Sequence, residues 1–178
     1  MTLSESYKNI LKKELQTELN LKNVHMVPDI EKIVVNMSFG AFKENKDFIE
    51  EAKSDLSSIC GQKPIDRYSR KAISNFKLRA GELIALSVTM RGEKAWSFLE
   101  KLIKIVLPSV RDFRGLSKKS FDKKGNYSFG IKEHFVFPEI NPDKIKHIKG
   151  MEITIKTTTK EDKLAKAMFE KLGFPLKK

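Results

Sequence analysis

Apolar residues recur at helical spacing in four stretches of the chain. The first stretch predicts an amphipathic helix over residues 3–20, and the next two predict helices that end at Gly61 and at Pro108. Thr159 and Asp162 indicate a capping box at the start of a final helix. The apolar stripes consist of Leu3, Tyr7, Ile10, Leu11, Leu15 and Leu19; of Phe48, Ile49, Ala52, Leu56 and Ile59; of Trp96, Leu99, Leu102, Ile103 and Val106; and of Leu164, Met168, Phe169 and Leu172.

Apolar and polar residues alternate with the period of a strand in four further stretches. One face of each predicted strand is apolar. In chain order, the four apolar faces are Ile33, Val35 and Met37; Ile84, Leu86, Val88 and Met90; Tyr127, Phe129 and Ile131; and Met151, Ile153 and Ile155. The opposite faces of the first, second and last strands carry Lys32, Val34 and Asn36; Ala85, Ser87, Thr89 and Arg91; and Glu152, Thr154 and Lys156.

The order of these elements is helix, strand, helix, strand, helix, strand, strand, helix. This order predicts an α+β fold in which helices pack on one face of a largely antiparallel sheet. The other sheet face should be small and polar. No internal repeat or low-complexity linker interrupts the chain, so we expect residues 1–178 to form a single domain.

Two stretches fit neither period and are predicted to be long basic loops, over residues 67–81 and 109–126. The first contains five basic residues and no acidic residue. Both are longer than the connections usual in compact domains, which favours a functional role. The basic side chains of the second loop are Arg111, Arg114, Lys118, Lys119, Lys123 and Lys124.

Positive charge is concentrated in the middle of the chain. Overall, 35 basic residues against 23 acidic ones give a net charge of +12. Residues 1–61 carry a balance of −2, residues 62–134 a balance of +10, and residues 135–178 a balance of +4. A surface of this kind attracts a polyanion, because each Lys or Arg that meets a phosphate releases counterions. Scattered solvated lysines are the alternative, but the clustering favours nucleic acid.

The sequence offers little for catalysis or metal binding. Its histidines, His25, His134 and His147, lack the spacing of a metal site, and Glu133 and His134 should point to opposite faces of a strand. Cys60, the single cysteine, is predicted to pack in the core as a small apolar side chain. A chain with one cysteine has no intrachain disulfide, which fits a reducing compartment. We therefore expect no catalytic residue, metal or cofactor.

Two further features are the aspartates of the second basic loop and the hydropathy of the chain. Asp112 and Asp122 could ligate magnesium, but turn hydrogen bonds or salt bridges are favoured for them. No apolar run approaches the roughly 20 residues that cross a bilayer, and no secretory signal is visible. These features predict a cytosolic protein without a membrane partner.

RNA-binding features are stronger. In the first loop, basic side chains lie near Tyr68 and Phe76, which could stack on unpaired bases. Alternatively, Phe76 and Leu78 anchor the loop to the core, and for Phe76 we favour the anchor. On the polar sheet face, Asn36 and Thr89 could bond ribose hydroxyls, or they could simply be solvated.

Eight short segments, in this order and spacing, carry a resemblance to a known family. They are Val-Val-Asn-Met at 34–37, Gly-Gln-Lys-Pro at 61–64, Arg-Lys-Ala-Ile-Ser-Asn-Phe-Lys-Leu-Arg at 70–79, Val-Thr-Met-Arg-Gly-Glu at 88–93, Arg-Asp-Phe-Arg-Gly-Leu at 111–116, Ser-Phe-Asp at 120–122, Gly-Asn-Tyr-Ser at 125–128 and Phe-Pro-Glu-Ile at 137–140. Together the segments resemble the bacterial large-subunit ribosomal protein five family, whose members bind 5S rRNA. The resemblance covers nearly the whole chain.

The resemblance implies a role in the central protuberance, where the family joins 5S rRNA to the large-subunit rRNA. It implies 5S contacts at Asn36, Gln62 and Thr89, with Lys63 and Arg91 of the same motifs. It further implies that a loop reaches the peptidyl-site tRNA, and that the basic segment around 109–146 faces rRNA or a protein of the small-subunit head. The tRNA-facing residues are Arg70, Lys71, Asn75, Phe76, Lys77 and Arg79.

Two positions depart from the family pattern, and two other functions stay open. Ser38 and Lys123 stand where glycine is expected, and because serine resists positive φ, Ser38 makes the expected turn after the first strand less certain to form.

The runner-up function is an RNA-processing enzyme or its basic subunit, which would need a convergent carboxylate or histidine site. A DNA-compacting protein is disfavoured, because no element resembles a groove-reading helix.

Overall fold

The computed structural model describes residues 2–42 and 45–177 and shows an α+β fold. The described residues form four helices, of which α2 (Lys46–Cys60) and α4 (Asp162–Lys171) are regular. The helix α1 consists of Leu3–Ser6, a π-helical Tyr7–Leu11 and Lys12–Glu18. The helix α3 consists of Glu93–Lys101, a π-helical Leu102–Val106 and Leu107–Ser109. The strands are β1 (Ile30–Ser38), β2 (Ile65–Tyr68), β3 (Leu83–Met90), β4 (Tyr127–Ile131) and β5 (Met151–Thr157).

The five strands form one open antiparallel sheet in the order β2-β3-β1-β5-β4. The apolar faces predicted for the strands are buried, apart from Ile84 at the start of β3, which is half-buried. The opposite face, called the open face below, carries half-buried or exposed side chains on β1, β4 and β5. The predicted fold class and the four predicted strands are confirmed.

Strand β2 was not predicted, and its presence corrects the first basic loop. Arg67 and Tyr68 belong to this edge strand, in which Ile65 pairs with Ser87 and Arg67 with Ala85. Three of its four side chains are exposed, so the strand has no buried face to produce alternation in the sequence. The irregular segment begins after Tyr68, and its centre forms a 3₁₀ turn, Ser74–Phe76.

The second predicted basic loop is also not one uninterrupted loop. The helix α3 continues to Ser109, one residue past Pro108. A 3₁₀ turn, Lys118–Ser120, follows within the segment, and Phe121 makes a single antiparallel bridge to Tyr127. The two long loops are therefore not confirmed as predicted.

The capping box predicted for the last helix is wrong. Thr159 Oγ1 accepts a hydrogen bond from the N–H of Glu161, and Asp162 Oδ1 accepts one from the N–H of Gly125 at 2.8 Å. Neither side chain caps α4. A capping box is instead present at α1, where the side chains of Thr2 and Glu5 each accept from the other's backbone N–H.

The chain divides into two compact units, each formed by separate segments. The first unit comprises Met1–Val34, Met90–Phe129 and Ile153–Lys178. Five aromatic rings, with neighbouring centroids 4.7–6.0 Å apart, lie in its core: Phe121, Tyr127, Phe129, Phe169 and Phe174. The ring of Tyr7 of α1 packs on the ring of Trp96 of α3 with the centroids 4.8 Å apart and the planes tilted by 31°, which joins these helices. Ile10, predicted to face inward, is 45% exposed.

The second unit comprises Val35–Thr89 and Gly130–Glu152. Phe48, Ala52, Leu56 and Ile59 of α2 are buried in it, as their spacing predicted. The helix ends at Gly61, whose left-handed φ of 60° suits glycine. Cys60 is buried, in agreement with a role as core filler. The expectation that the whole chain is one domain stays a prediction.

Candidate nucleic-acid interface

In the second unit, the open face presents small polar groups. Asn36 and Thr89 are half-buried, while their strand neighbours Val35 and Val88 are fully buried on the other face. Ser87 and Ala85 are short and lie opposite Ile65 and Arg67 of β2, so little of them reaches solvent. The predicted outward orientation of Asn36 and Thr89 agrees with this geometry. The exposed Ile65 adds an apolar group that the sequence did not indicate.

Gln62 is brought directly to this face by the end of α2. Its Nε2 donates a hydrogen bond to the main-chain carbonyl of Thr89 at 3.3 Å. The bond leaves the Oε1 of the amide available as an acceptor and fixes the direction of the side chain. Lys63, the next residue, is exposed. Gln62 therefore lies against the backbone at the end of β3, next to Thr89.

The segment between β2 and β3 is held by its own backbone. The N–H of Ser69 donates to Glu82 O at 2.8 Å, and the N–H of Gly81 donates to Ser69 O at 2.9 Å. The hydroxyl of Ser69 donates to Arg79 O, and the N–H of Arg79 donates to the carboxylate of Glu82. The base of this segment is thus fixed without any basic side chain.

The tip of the same segment is a small closed turn. Ile73 and Leu78 exchange two backbone hydrogen bonds, of 2.9 and 3.1 Å. Phe76 is 76% exposed, so the anchor role favoured from the sequence is wrong for this residue; Leu78 is half-buried instead. All six residues predicted to face tRNA are exposed: Arg70, Lys71, Asn75, Phe76, Lys77 and Arg79.

In the first unit, the charge of Arg91 acts on a carboxylate, Glu31, that the sequence did not single out. Glu31 bonds Lys156, and its carboxyl pKa is lowered, first by that hydrogen bond and then by the charges of Lys156, Lys32 and Arg91. Desolvation of Glu31 acts in the opposite direction but is outweighed. The charge of Arg91 therefore acts on Glu31 together with the charges of Lys32 and Lys156.

The basic segment of the first unit is organised by a turn at Asp122. Its carboxylate accepts hydrogen bonds from the N–H of Lys124 and from the backbone and side chain of Asn126. Desolvation raises the pKa of Asp122, but these bonds outweigh it and lower the pKa. The preference for turn hydrogen bonds over a magnesium ligand agrees with this geometry. The six predicted basic residues are all exposed: Arg111, Arg114, Lys118, Lys119, Lys123 and Lys124.

Lys123 and Ser38, the two positions where the family pattern has glycine, differ in backbone conformation. Lys123 takes a left-handed φ of 63°, the conformation for which glycine is preferred. Ser38 stays in the extended strand β1, and the positive φ of the following turn falls on Gly40 at 52°. The turn after β1 therefore does not depend on a glycine at position 38.

A buried ionic network in the second unit was missed by sequence reasoning. The Nζ of Lys149 lies 2.9 Å from Glu51 and 2.8 Å from Asp55, although its side chain is only 1% exposed. His134 Nδ1 accepts from the Lys149 N–H, and its Nε2 lies 3.4 Å from Asp55. Partial burial raises the pKa of Asp55, but His134 and Lys149 outweigh it and lower the pKa. The network joins α2 to both ends of the segment between β4 and β5.

This network corrects the expectation for Glu133 and His134. Strand β4 ends at Ile131, so these two residues do not alternate along a strand. In the part of the chain that the structure describes, no three His, Cys, Asp or Glu side chains are grouped as metal ligands would be. Within residues 2–42 and 45–177, every helix is too short or too polar to cross a lipid bilayer.

Comparison with known proteins decides the family. The family model described as "Ribosomal protein L5" matches residues 23–79, and a second model, which describes the C-terminus of the same ribosomal family, matches residues 83–176. The chain belongs to the ribosomal protein L5 family. The resemblance inferred from eight short segments is confirmed over nearly the full length.

Curated relatives in this family are similar along their whole length. The chain is 51% identical over 176 residues to the large ribosomal subunit protein uL5 of Thermotoga maritima, covering 99% of this chain and 96% of that protein. It is 49% identical over 176 residues to the uL5 protein of Mycoplasma pneumoniae, covering 99% and 98%. As an L5 family member, the chain is a structural protein of the large ribosomal subunit in the cytoplasm, and not an enzyme.

Proposed function

We propose that this L5 family member acts as one RNA-binding domain that binds 5S rRNA and attaches it to the large-subunit rRNA. The observation that carries the proposal is the open face of the second unit. Asn36 and Thr89 are half-buried there, and Gln62 is held against Thr89 by a hydrogen bond. Short hydroxyl and amide groups let a sugar–phosphate backbone approach closely and can bond its 2′-hydroxyls.

Charge supports RNA as the ligand of this surface. The balance of +10 in residues 62–134 includes Lys63 and Arg91, which follow Gln62 and β3 in the chain. Phosphate contacts of this kind supply affinity, whereas the small polar groups of the open face supply the fit. The two features together favour a folded RNA over a bare polyanion.

The tip between β2 and β3 supports a contact with tRNA in the peptidyl site. Phe76 projects with 76% of its surface exposed, and four basic side chains surround it in the sequence. An exposed aromatic ring among cations can stack on a base while the cations meet phosphates. The backbone bonds at Ser69 and Glu82 hold the base of this tip, which lowers the cost of ordering it on binding.

The exposed basic segment of the first unit supports contacts at the subunit boundary. Arg111, Arg114, Lys118 and Lys119 expose their side chains in a segment with little regular structure. We assign this segment to rRNA or to a protein of the small-subunit head.

Competition binding tests the proposal. The purified chain should bind a 5S rRNA transcript and prefer it over a DNA duplex of equal length at every salt concentration. The preference is expected because duplex DNA lacks both the 2′-hydroxyls and the splayed bases of a folded RNA. Equal competition by the duplex, or no binding of 5S rRNA at low ionic strength, would contradict the proposed function.

A further inference from the structure

The middle of the basic segment in the first unit is joined to the segment that follows α4. Leu116 and Leu176 form a single parallel bridge. The N–H of Leu116 donates to Pro175 O, and the N–H of Lys177 donates to Leu116 O, both at 2.8 Å. Residues 174–177, called the strap below, therefore hold the basic segment by its main chain.

Gly115 shows how closely the strap approaches the basic segment. Its φ of 86° lies in the left-handed region that favours glycine. A Cβ atom at this position would lie 3.2 Å from Cγ of Lys177 and 3.3 Å from Pro175 O, tighter than an ordinary van der Waals contact. The glycine therefore provides both the turn and the room that the strap occupies.

The aromatic core of the first unit fixes both partners of this contact. Phe174, at the start of the strap, is buried, and its ring centroid lies 5.1 Å from that of Phe169 and 5.6 Å from that of Tyr127. The hydroxyl of Tyr127 donates to Ser117 O at 2.9 Å. Because Tyr127 contacts the strap with its ring and the basic segment with its hydroxyl, the two segments are held in one arrangement.

The main-chain bonds to the strap leave the charges of the basic segment at the surface. Lys118 lies 3.8 Å from Glu170 of α4, but both side chains of this pair remain exposed. A surface segment without regular structure loses conformational freedom when it binds, and this loss weakens binding. A main chain that is already fixed avoids part of the loss. The four exposed basic side chains are Arg111, Arg114, Lys118 and Lys119.

We propose that the strap positions the basic segment for its contact at the subunit boundary. It holds the main chain between the basic side chains in one conformation, so that less freedom is lost when the partner binds. Pro175 and Lys177 are thus positioning residues, which act on binding through Leu116. This inference rests on the proposed function, which assigns the basic segment to that contact.

A pair of variants at Lys177 separates the strap from the charge of this residue. Lys177→Pro removes the N–H that donates to Leu116 O, whereas Lys177→Ala keeps it. Both variants lose the same charge and the same tryptic site. Limited trypsin digestion of the folded chain should cut after Lys118 and Lys119 roughly threefold to tenfold faster in Lys177→Pro, the effect of one lost hydrogen bond on local opening. Lys177→Ala should be cut at the wild-type rate.

A pair of glycine variants tests the close approach independently. Gly115→Ala and Gly81→Ala introduce a Cβ at nearly the same φ, 86° and 83°, so both carry similar backbone strain. At Gly81 the Cβ meets nothing within 4 Å, whereas at Gly115 it presses on the strap. Only Gly115→Ala should speed cleavage after Lys118 and Lys119. If this variant fails to fold in a thermal melt, the Lys177 pair, which leaves Gly115 intact, decides.

Sedimentation of ribosomal subunits tests the effect on binding. Large subunits are assembled with Lys177→Pro or with Lys177→Ala and are then mixed with small subunits. Either the incorporation of Lys177→Pro into large subunits or the association of these with small subunits should be several-fold weaker than for Lys177→Ala. The step that weakens identifies the partner as large-subunit rRNA or as the small-subunit head. A strap with only a structural role would speed cleavage but would change neither step.

The outcomes separate the strap from the proposed function. Equal cleavage of the two Lys177 variants, or faster cleavage of Lys177→Pro with unchanged sedimentation, overturns the positioning role of the strap. Binding of 5S rRNA by the free chain should be the same in both variants, so the proposed function stands in either case. Failure of the wild-type chain to bind 5S rRNA overturns the proposed function instead, whatever the cleavage rates.

Discussion

At the proposed RNA contact, single polar side chains determine how closely a nucleic-acid backbone can approach the open face of the second unit. Asn36 and Thr89 are half-buried and flanked by short neighbours such as Ser87, so a backbone can come within hydrogen-bonding distance of them. A longer or apolar side chain at either position would leave a buried polar atom of the RNA without a partner, which is costly.

Replacement of these groups by apolar side chains of similar size should weaken 5S binding. Asn36→Leu and Thr89→Val are each expected to lower the affinity by about 1–3 kcal/mol, because a hydrogen bond is lost while the shape is retained. Gel-shift titration with a 5S transcript measures the effect. Ser58→Ala, on the exposed side of α2, serves as the control. If all three variants bound the 5S transcript with equal affinity, this would count against a 5S contact at Asn36 and Thr89.

Backbone conformation at one residue allows a stability test. Lys123 has a φ of 63°, a conformation that costs a non-glycine residue roughly 1–2 kcal/mol. Glycine removes this cost but loses about 0.5–1 kcal/mol through the greater freedom of the unfolded chain. Lys123→Gly should therefore raise the free energy of unfolding by up to about 1.5 kcal/mol, as measured by urea denaturation.

The control for this prediction is Lys119→Gly. Lys119 lies in the 3₁₀ turn Lys118–Ser120 and is not among the described residues with positive φ. The same substitution of lysine by glycine should lower the free energy of unfolding at this position. A loss of stability of the same size at both positions would show that the left-handed conformation at Lys123 carries no strain.

At the scale of elements, hydrogen bonds that involve no basic side chain shape the two segments proposed to face RNA, and the basic side chains of these segments stay exposed. The segment after β2 is held through Ser69, Gly81 and Glu82. The turn after Phe121 is held through Asp122 and Asn126. Because the charges are not needed for these bonds, they can be removed without unfolding the segment.

Arg70→Ala and Arg79→Ala test this separation of roles. Each variant should reduce the salt slope of RNA binding by about one, since one phosphate contact is lost. The free energy of unfolding should change by no more than about 0.5 kcal/mol, because both side chains are exposed. Filter binding over a salt series and urea denaturation measure the two effects. An unchanged slope in both variants would argue against phosphate contact.

The network of Asp55, His134 and Lys149 gives stability that depends on pH. The pKa of Asp55 is lowered in the folded chain, so the contribution of its carboxylate is complete above the ordinary value near pH 4. It is lost as the pH falls through the depressed pKa. Asp55→Asn should cost about 1–3 kcal/mol at pH 7, because the buried Lys149 loses one of its two carboxylate partners.

Urea denaturation at pH 7 and at pH 3 checks this prediction. The difference between wild type and Asp55→Asn should be smaller at pH 3, below the ordinary carboxyl pKa, because the carboxyl of the unfolded wild-type chain takes up its proton there. Glu50→Gln, at an exposed position of the same helix beyond its first turn, should change stability by no more than about 0.5 kcal/mol at either pH. A difference that does not vary with pH would contradict the assigned role.

Elements with a buried face could be predicted from the sequence, and elements without one could not. The strand β1 was clear because Ile33, Val35 and Met37 alternate with polar residues and are all buried. The edge strand β2 exposes Ile65 and Tyr68, and it exists only because it pairs with β3. Its formation is a property of the sheet, which no local pattern records.

For the candidate site as well, features set by a local pattern could be predicted from the sequence, and contacts between distant residues could not. The outward faces of Asn36 and Thr89 followed from strand periodicity, but the bond from Gln62 to Thr89 joins residues on different elements. The pair of Lys156 and Glu31 lies 125 residues apart in sequence. Such contacts depend on strand order, so a single sequence cannot indicate them.

At the scale of the whole molecule, the charge of the chain matches the function of its family. The first 61 residues carry a balance of −2, and residues 62–134 carry +10. The exposed side of α2 bears Asp47 and Glu50, which would repel phosphates. We therefore expect RNA to approach the open face and the basic segments rather than this helix.

Ultraviolet crosslinking in assembled large subunits tests the central claim most directly. Peptides that carry Asn36 and Thr89 should be found linked to nucleotides of 5S rRNA. Crosslinks to 5S rRNA that come only from the exposed side of α2, with none from β1 or β3, would contradict the account.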